Sequence, residues 1–114
     1  MTDESERPVG DRPRLSVVLP VLNEARDLGD LLDQLRAQDP SGDIIEVLVV
    51  DGGSTDGTQD IVRARAGDWP NLILLDNPRR RSGPGRNVGA RAARGEYLLF
   101  LDGHCLLPRP DYAA

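Results

Sequence analysis

From Leu15 onwards, apolar runs alternate with helix-spaced segments: LSVVL, ARDLGDLLDQLRAQ, EVLVV, DGTQDIVRARAG, LILL, GRNVGARAARG and YLLFL. This order predicts β-α-β-α-β-α-β. The four strand candidates are largely apolar runs without polar alternation, as expected of strands covered on both faces and joined by crossover helices. The expectation is therefore an α/β domain: an open parallel sheet of about four strands with helices on both faces. The first helix carries Leu28, Leu31, Leu32 and Leu35 at spacings of three and four, which gives one apolar face for the sheet. Asn23 is its cap candidate, and Asp39, Pro40 and Gly42 end it. Residues 1–14 have acids, prolines and no periodicity, and are expected to form a flexible leader before a domain spanning residues 15–114.

A length of 114 residues accommodates one domain. With 39% hydrophobic and 29% charged residues, the chain has enough apolar material for a core. The net charge is −5 and every basic residue is arginine, which argues against a general nucleic-acid surface and makes any anion site local. Cys105 is the single cysteine, so no internal disulfide supports the fold and a reducing compartment is compatible. The first residues lack the basic end and apolar stretch of a secretion signal, and no later apolar run approaches the roughly 20 residues of a membrane helix. A soluble, cytoplasmic chain is expected, with membrane association only through regions beyond Ala114.

Polar and acidic residues follow three of the four strands: PVLNE after the first, Asp51 after the second and Asp102 after the fourth. In an open parallel sheet the carboxyl edge carries the ligand crevice, deepest where the strand order reverses. With the order 3-2-1-4, that crevice falls between residues 20–24 and 102–104. Any one of these acids is equally well explained as a loop cap; three at one edge point to a site. In VVDGGSTDGT, Gly52 and Gly53 permit a tight turn, Ser54 or Thr55 suits a cap, and Asp56 suits the next helix's positive end. Asp51 has no such local task in this reading, and its carboxylate is placed to accept hydrogen bonds from a nucleobase.

In LDGHC, Asp102 and His104 converge on one cation if the chain turns at Gly103. Carboxylate and imidazole suit Mn²⁺ or Mg²⁺, with diphosphate oxygens completing the shell. The competing reading of His104 is a hydrogen-bonded surface histidine, and that of Cys105 a small packing residue. Between the third and fourth strands, Gly83, Gly85 and Gly89 with Pro84 form a loop feeding a helix whose amides suit an anion, with Arg81 or Arg86 adding charge. Arg79 and Arg80 read as solvated. The segment GPGRNVG is not a dinucleotide fingerprint, which would have to follow the first strand. A phospho-acceptor receiver needs a lysine that is absent here, and Trp69 reads as loop packing.

Together, SVVLPVLNEARDL, VVDGGSTDGT and GRNVGARAARGEYLLFLDGHC resemble the amino-terminal, nucleotide-binding half of family 2 glycosyltransferases of the Rossmann-like GT-A fold, from residue 15 to about 112. The LDGHC ending resembles the succinoglycan-type exopolysaccharide branch. The resemblance implies transfer of a sugar from a nucleotide-sugar, UDP-linked at the family level, to a carbohydrate or lipid-linked acceptor hydroxyl, with inversion and metal assistance. By position it implies that Pro20, Val21, Asn23 and Glu24 border the nucleoside and that Asp51 contacts the base. Arg86 would lie near the diphosphate, Asp102 would contact ribose or metal, and His104 would hold the metal. Leu22, Gly52 and Ser82 depart from frequent family residues: an aromatic, a second aspartate and a basic residue. The general base is expected beyond Ala114, so the chain is expected to be a donor-binding piece that does not turn over alone. A non-catalytic nucleotide-binding or interaction module, with an apolar sheet edge open to a partner, is the alternative.

Overall fold

The computed structural model describes residues 13–78 and 82–101. The elements are β1 (Leu15–Val21), α1 (Ala25–Gln38), β2 (Ile45–Asp51), α2 (Thr58–Ala66), β3 (Leu72–Asp76), α3 (Ser82–Ala92) and β4 (Tyr97–Phe100). They form one parallel sheet, as the sequence pattern predicts, in the order β3-β2-β1-β4 on which the expected crevice depended. β1 and β2 pair along their whole length, from Leu15 opposite Ile45 to Val21 opposite Asp51.

Alternate residues of the central strands feed two cores. Val17, Leu19, Val21, Val47 and Val49 face the four α1 leucines together with Val62 and Trp69. Val18, Leu48 and Val50 face the other way, under Val88 and Ala93 around α3. Each fully buried aliphatic side chain contributes about 1.5–3 kcal/mol, so the continuous apolar runs account for the two-faced burial of β1 and β2. The chain steps outward from β1 to β3 with α1 and α2 on one face, then reverses to β4 with α3 on the other. A right-handed crossover requires that change of face when the direction reverses. The reversal places the switch point between β1 and β4.

α1 ends as its sequence predicts. The Asp39 amide donates to the Arg36 carbonyl at 3.1 Å, and the buried Asp39 carboxylate accepts the Ile44 and Ile45 amides at 2.9 and 2.7 Å. α3 differs from the expected glycine loop. The helix already begins at Ser82, so Gly83, Pro84 and Gly85 form its first turn, where a proline's missing N–H breaks no helical bond. Gly89 explains how closely α3 lies on the sheet: a Cβ there would stand 2.3 Å from Val18 Cγ1.

A polar bridge closes the amino edge of the sheet. Glu46, completely buried within β2, accepts the Ser16 hydroxyl and the Arg94 amide, each at 3.0 Å, on Oε1. Arg94 Nε donates to Glu46 Oε2 at 2.6 Å, and Arg94 Nη2 reaches Asn71 Oδ1 at 3.0 Å. The Gly95 amide donates to Ser16 Oγ at 2.8 Å. These bonds fix the α3–β4 turn against β1 and β2, and with it the start of β4.

Candidate functional site

At the carboxyl edge, Val21, Asp51 and Asp76 lie opposite one another at the ends of β1, β2 and β3. The loops that leave β1 and β2 are bonded into one unit. The Gly52 amide donates to the Val21 carbonyl at 2.9 Å, and the Asn23 amide donates to Ser54 Oγ at 2.8 Å. In return the Thr55 amide donates to Asn23 Oδ1 at 2.8 Å. The Glu24 amide donates to Thr58 Oγ1 at 3.0 Å and the Ala25 amide to Asp56 Oδ2 at 3.1 Å.

This arrangement corrects the role of Asn23. It is not the cap of α1: Glu24 occupies that position, and no side chain of the helix's own loop caps it. Asn23 instead adopts φ 53°, a left-handed conformation that asparagine tolerates better than most residues. There it faces the β2–α2 loop. The first amides of α1 are capped from that loop by Thr58 and Asp56, so these donors are engaged within the protein. Asp56 also accepts the Thr58 amide at 3.1 Å and the Thr58 hydroxyl, and so serves the starts of both helices.

Asp51 likewise has a local task that its sequence position concealed. Its Oδ2 accepts the Gly53 amide at 2.9 Å, the Ser54 amide at 3.0 Å and Gln59 Nε2 at 2.6 Å. Its Oδ1 accepts the Ser54 hydroxyl at 2.5 Å. The residue is 1% exposed. Burial by itself raises the carboxyl pKa, but the bonds from Ser54, Gln59 and Gly53 outweigh it and hold Asp51 below the usual aspartate value. Asp56 is also lowered, chiefly by the Thr58 hydroxyl. Both side chains are therefore carboxylates at neutral pH and act as acceptors only.

Pro20 is half-buried against α3, where a Cβ on Gly85 would lie 3.2 Å from Pro20 Cβ. The first turn of α3 thus stands against the end of β1. One turn on, Arg86 is exposed, and its guanidinium lies 5.9 Å from the centre of the Phe100 ring. Phe100 pairs with Val18, and the next amide, Leu101, donates to the Val18 carbonyl at 3.1 Å. The structure thus brings Pro20, Val21, Asn23, Glu24 and Asp51 to one rim, with Arg86 on the α3 side of β1. Asp102 and His104, the proposed cation ligands, lie outside the described residues, as does Arg81. Among the described residues no group of three or more His, Cys, Asp and Glu side chains is placed to hold a metal ion.

Two clefts are lined by described residues. One of about 450 Å³ is lined by Asp33, Arg36, Arg65 and Trp69 near the carboxyl ends of α1 and α2, which fall at the opposite edge of the sheet. The other, about 190 Å³, lies between Asn77, Pro84, Asn87 and Arg91 beside α3, and it adjoins the rim, since the Asn77 amide donates to the Asp51 carbonyl at 2.8 Å. Trp69 is buried beneath Arg36, in keeping with a packing role. The loop-lacing residues Thr58 and Gln59 and the bridge residues Glu46 and Arg94 were missed from sequence. A charged residue heading the apolar run EVLVV was the available signal for Glu46; Arg94 gave none.

The family model for glycosyl transferase family 2 matches residues 16–112. Succinoglycan biosynthesis protein ExoA of Rhizobium meliloti is 39% identical over 100 residues, covering 84% of this chain and 29% of that protein. The mannosyltransferase PcManGT from Pyrobaculum calidifontis, solved with GDP-Man and Mn²⁺, superposes with a TM-score of 0.74 at 35% identity, over 95% of this chain and 34% of that one. TarS 1-349 of S. aureus, solved with UDP-GlcNAc, superposes with a TM-score of 0.71 at 35% identity, over 80% of this chain and 26% of that one. The chain spans less than a third of the length of the curated relatives it matches. Sequence motifs, sheet order and these likenesses agree over nearly the whole described chain, which belongs to glycosyl transferase family 2.

Proposed function

We propose that this chain forms the donor-binding part of a glycosyltransferase that moves a sugar from a nucleoside diphosphate to an acceptor hydroxyl with inversion. The observation that carries the reading is the laced rim. The ends of β1 and β2 are held together by bonds between their loops, beside the switch point between β1 and β4, around an ionised Asp51. In this reading the main chain at Pro20, Val21, Asn23 and Glu24 borders the nucleoside. Asp51 offers Oδ1 to a base N–H, since Oδ2 already accepts three donors. With 1% of the residue exposed, a base would meet only the edge of that oxygen. Arg86, exposed beside α3, supplies positive charge on the diphosphate side.

Asp102 and His104 would hold Mn²⁺ or Mg²⁺, and a cation there would neutralise charge developing on the departing diphosphate. GDP-Man with Mn²⁺ in PcManGT and UDP-GlcNAc in TarS support the donor class. The acceptor, carbohydrate or lipid-linked, follows from the family resemblance.

Calorimetric titration of UDP and GDP into the 114-residue chain, with and without Mn²⁺, tests the proposal. Saturable uptake that weakens about tenfold or more in Asp51→Asn is expected, the size of losing a hydrogen bond to a charged acceptor. A folded chain that takes up neither nucleotide would overturn it. A second reading, a non-catalytic nucleotide-binding module that pairs with another subunit, is favoured by β4, whose Tyr97, Leu98 and Phe100 are exposed. Nucleotide uptake without sugar transfer by the whole protein would select that reading.

A further inference from the structure

Ser54 occupies the junction between the two walls of the rim. Its hydroxyl has one proton and two lone pairs. The Asn23 amide at 2.8 Å takes one lone pair, and the proton goes to Asp51 Oδ1 at 2.5 Å. An amide N–H only donates and an ionised carboxylate only accepts, so neither bond can reverse its direction. The Ser54 amide meanwhile donates to Asp51 Oδ2, so one residue holds both oxygens of the carboxylate. Oδ2 is filled by three donors, whereas Oδ1 has Ser54 alone among the described residues.

We infer that Ser54 is a positioning residue for base selection: its hydroxyl fixes Asp51 Oδ1 relative to the Asn23 main chain. This rests on the nucleotide-sugar reading above. A carboxylate held in this way favours a base that presents a ring N–H, as uracil and guanine do, over cytosine, whose corresponding ring nitrogen is an acceptor. Without the hydroxyl, the Asn23 amide loses its partner and Oδ1 its fixed donor, so Oδ1 is no longer tied to the main chain of residue 23 while Oδ2 keeps its three donors. Base discrimination is lost while the contacts to the diphosphate persist.

The test compares UDP, GDP and CDP binding by calorimetry in the wild type, Ser54→Ala and Ser54→Thr, with the melting temperature of each. The expected result is that the wild type binds UDP or GDP more tightly than CDP. Ser54→Ala should lower that preference about tenfold with CDP affinity unchanged, the scale of one charge-assisted hydrogen bond. Ser54→Thr, which keeps the hydroxyl, should restore the preference. Equal weakening of all three nucleotides in Ser54→Ala would mean a purely structural role and overturn the inference, as would an unchanged preference. If the alanine variant does not fold, Ser54→Cys, similar in shape but a weak donor, takes its place with the same expected loss. A folded wild type that binds no nucleotide defeats the underlying reading, whereas one that binds and discriminates independently of Ser54 defeats only this inference.

Discussion

Replacing Arg94 by alanine tests whether the buried bridge holds the amino edge of the sheet. Glu46 is fully buried, whereas the Arg94 side chain is 22% exposed, so the two ends of the pair are unequal. Losing the guanidinium leaves the Glu46 carboxylate buried, with only the Ser16 hydroxyl and the residue 94 amide as donors among the described residues. Breaking a buried pair from one side costs about 3–5 kcal/mol, because an uncompensated charge remains inside. A domain of this size has about 5–15 kcal/mol in all, so the variant should lose about a fifth or more of its stability. At roughly 4 °C per kcal/mol, the melting temperature should fall by about 12–20 °C. Replacing both partners at once, Glu46→Leu with Arg94→Met, should cost markedly less than Arg94→Ala, since no charge is then stranded. Urea titration followed by circular dichroism at neutral pH measures all three chains, and an unchanged denaturant slope would confirm that stability alone has moved. A loss below about 1 kcal/mol for Arg94→Ala, or a double variant as unstable as the single, would refute the reasoning, because a surface pair behaves in that way.

Gly89→Ala should destabilise by about 1–3 kcal/mol in urea titration, since the new Cβ meets Val18 Cγ1 at 2.3 Å and the gain in helix propensity of about 1 kcal/mol does not offset overpacking; increased stability would contradict the close approach of α3. Asn23→Val should lower the melting temperature more than Asn23→Gly. Both lose the bond from the Thr55 amide, but valine also has to hold a φ near 53°. Acid should unfold the protein as Asp51, Asp56 and Asp33 take up protons. Their folded pKa values are lowered, so the stability they contribute is complete above the usual aspartate pKa of about 4 and is lost as pH falls through the lower folded values. Asp51→Asn should flatten that acid limb in melting temperatures measured from pH 6 to 2, and an unaltered limb would remove Asp51 from the account.

The sequence by itself determined the layers of this protein. The largely apolar runs LSVVL and EVLVV lack the polar alternation of a strand with one face in water, and four leucines at helical spacing need a sheet to cover, so an α/β domain with a parallel sheet follows from local pattern alone. Acids and asparagine after the strands likewise marked the carboxyl edge. What only the tertiary structure decided was the task of each polar group there. Asn23 reads as a cap because a cap is a local device, yet its partners lie 31 and 32 residues away in the β2–α2 loop. Asp51 reads as a carboxylate kept for a nucleobase, with no local task, until Ser54 and Gln59 close on it. Arg94 looks like any solvated arginine until the reversal of strand order carries it back to Glu46, 48 residues earlier. Hydrophobic burial repeats along the chain and is legible as a period. Hydrogen-bond partners are chosen across it, and become fixed only when the strand order brings distant loops to the same edge.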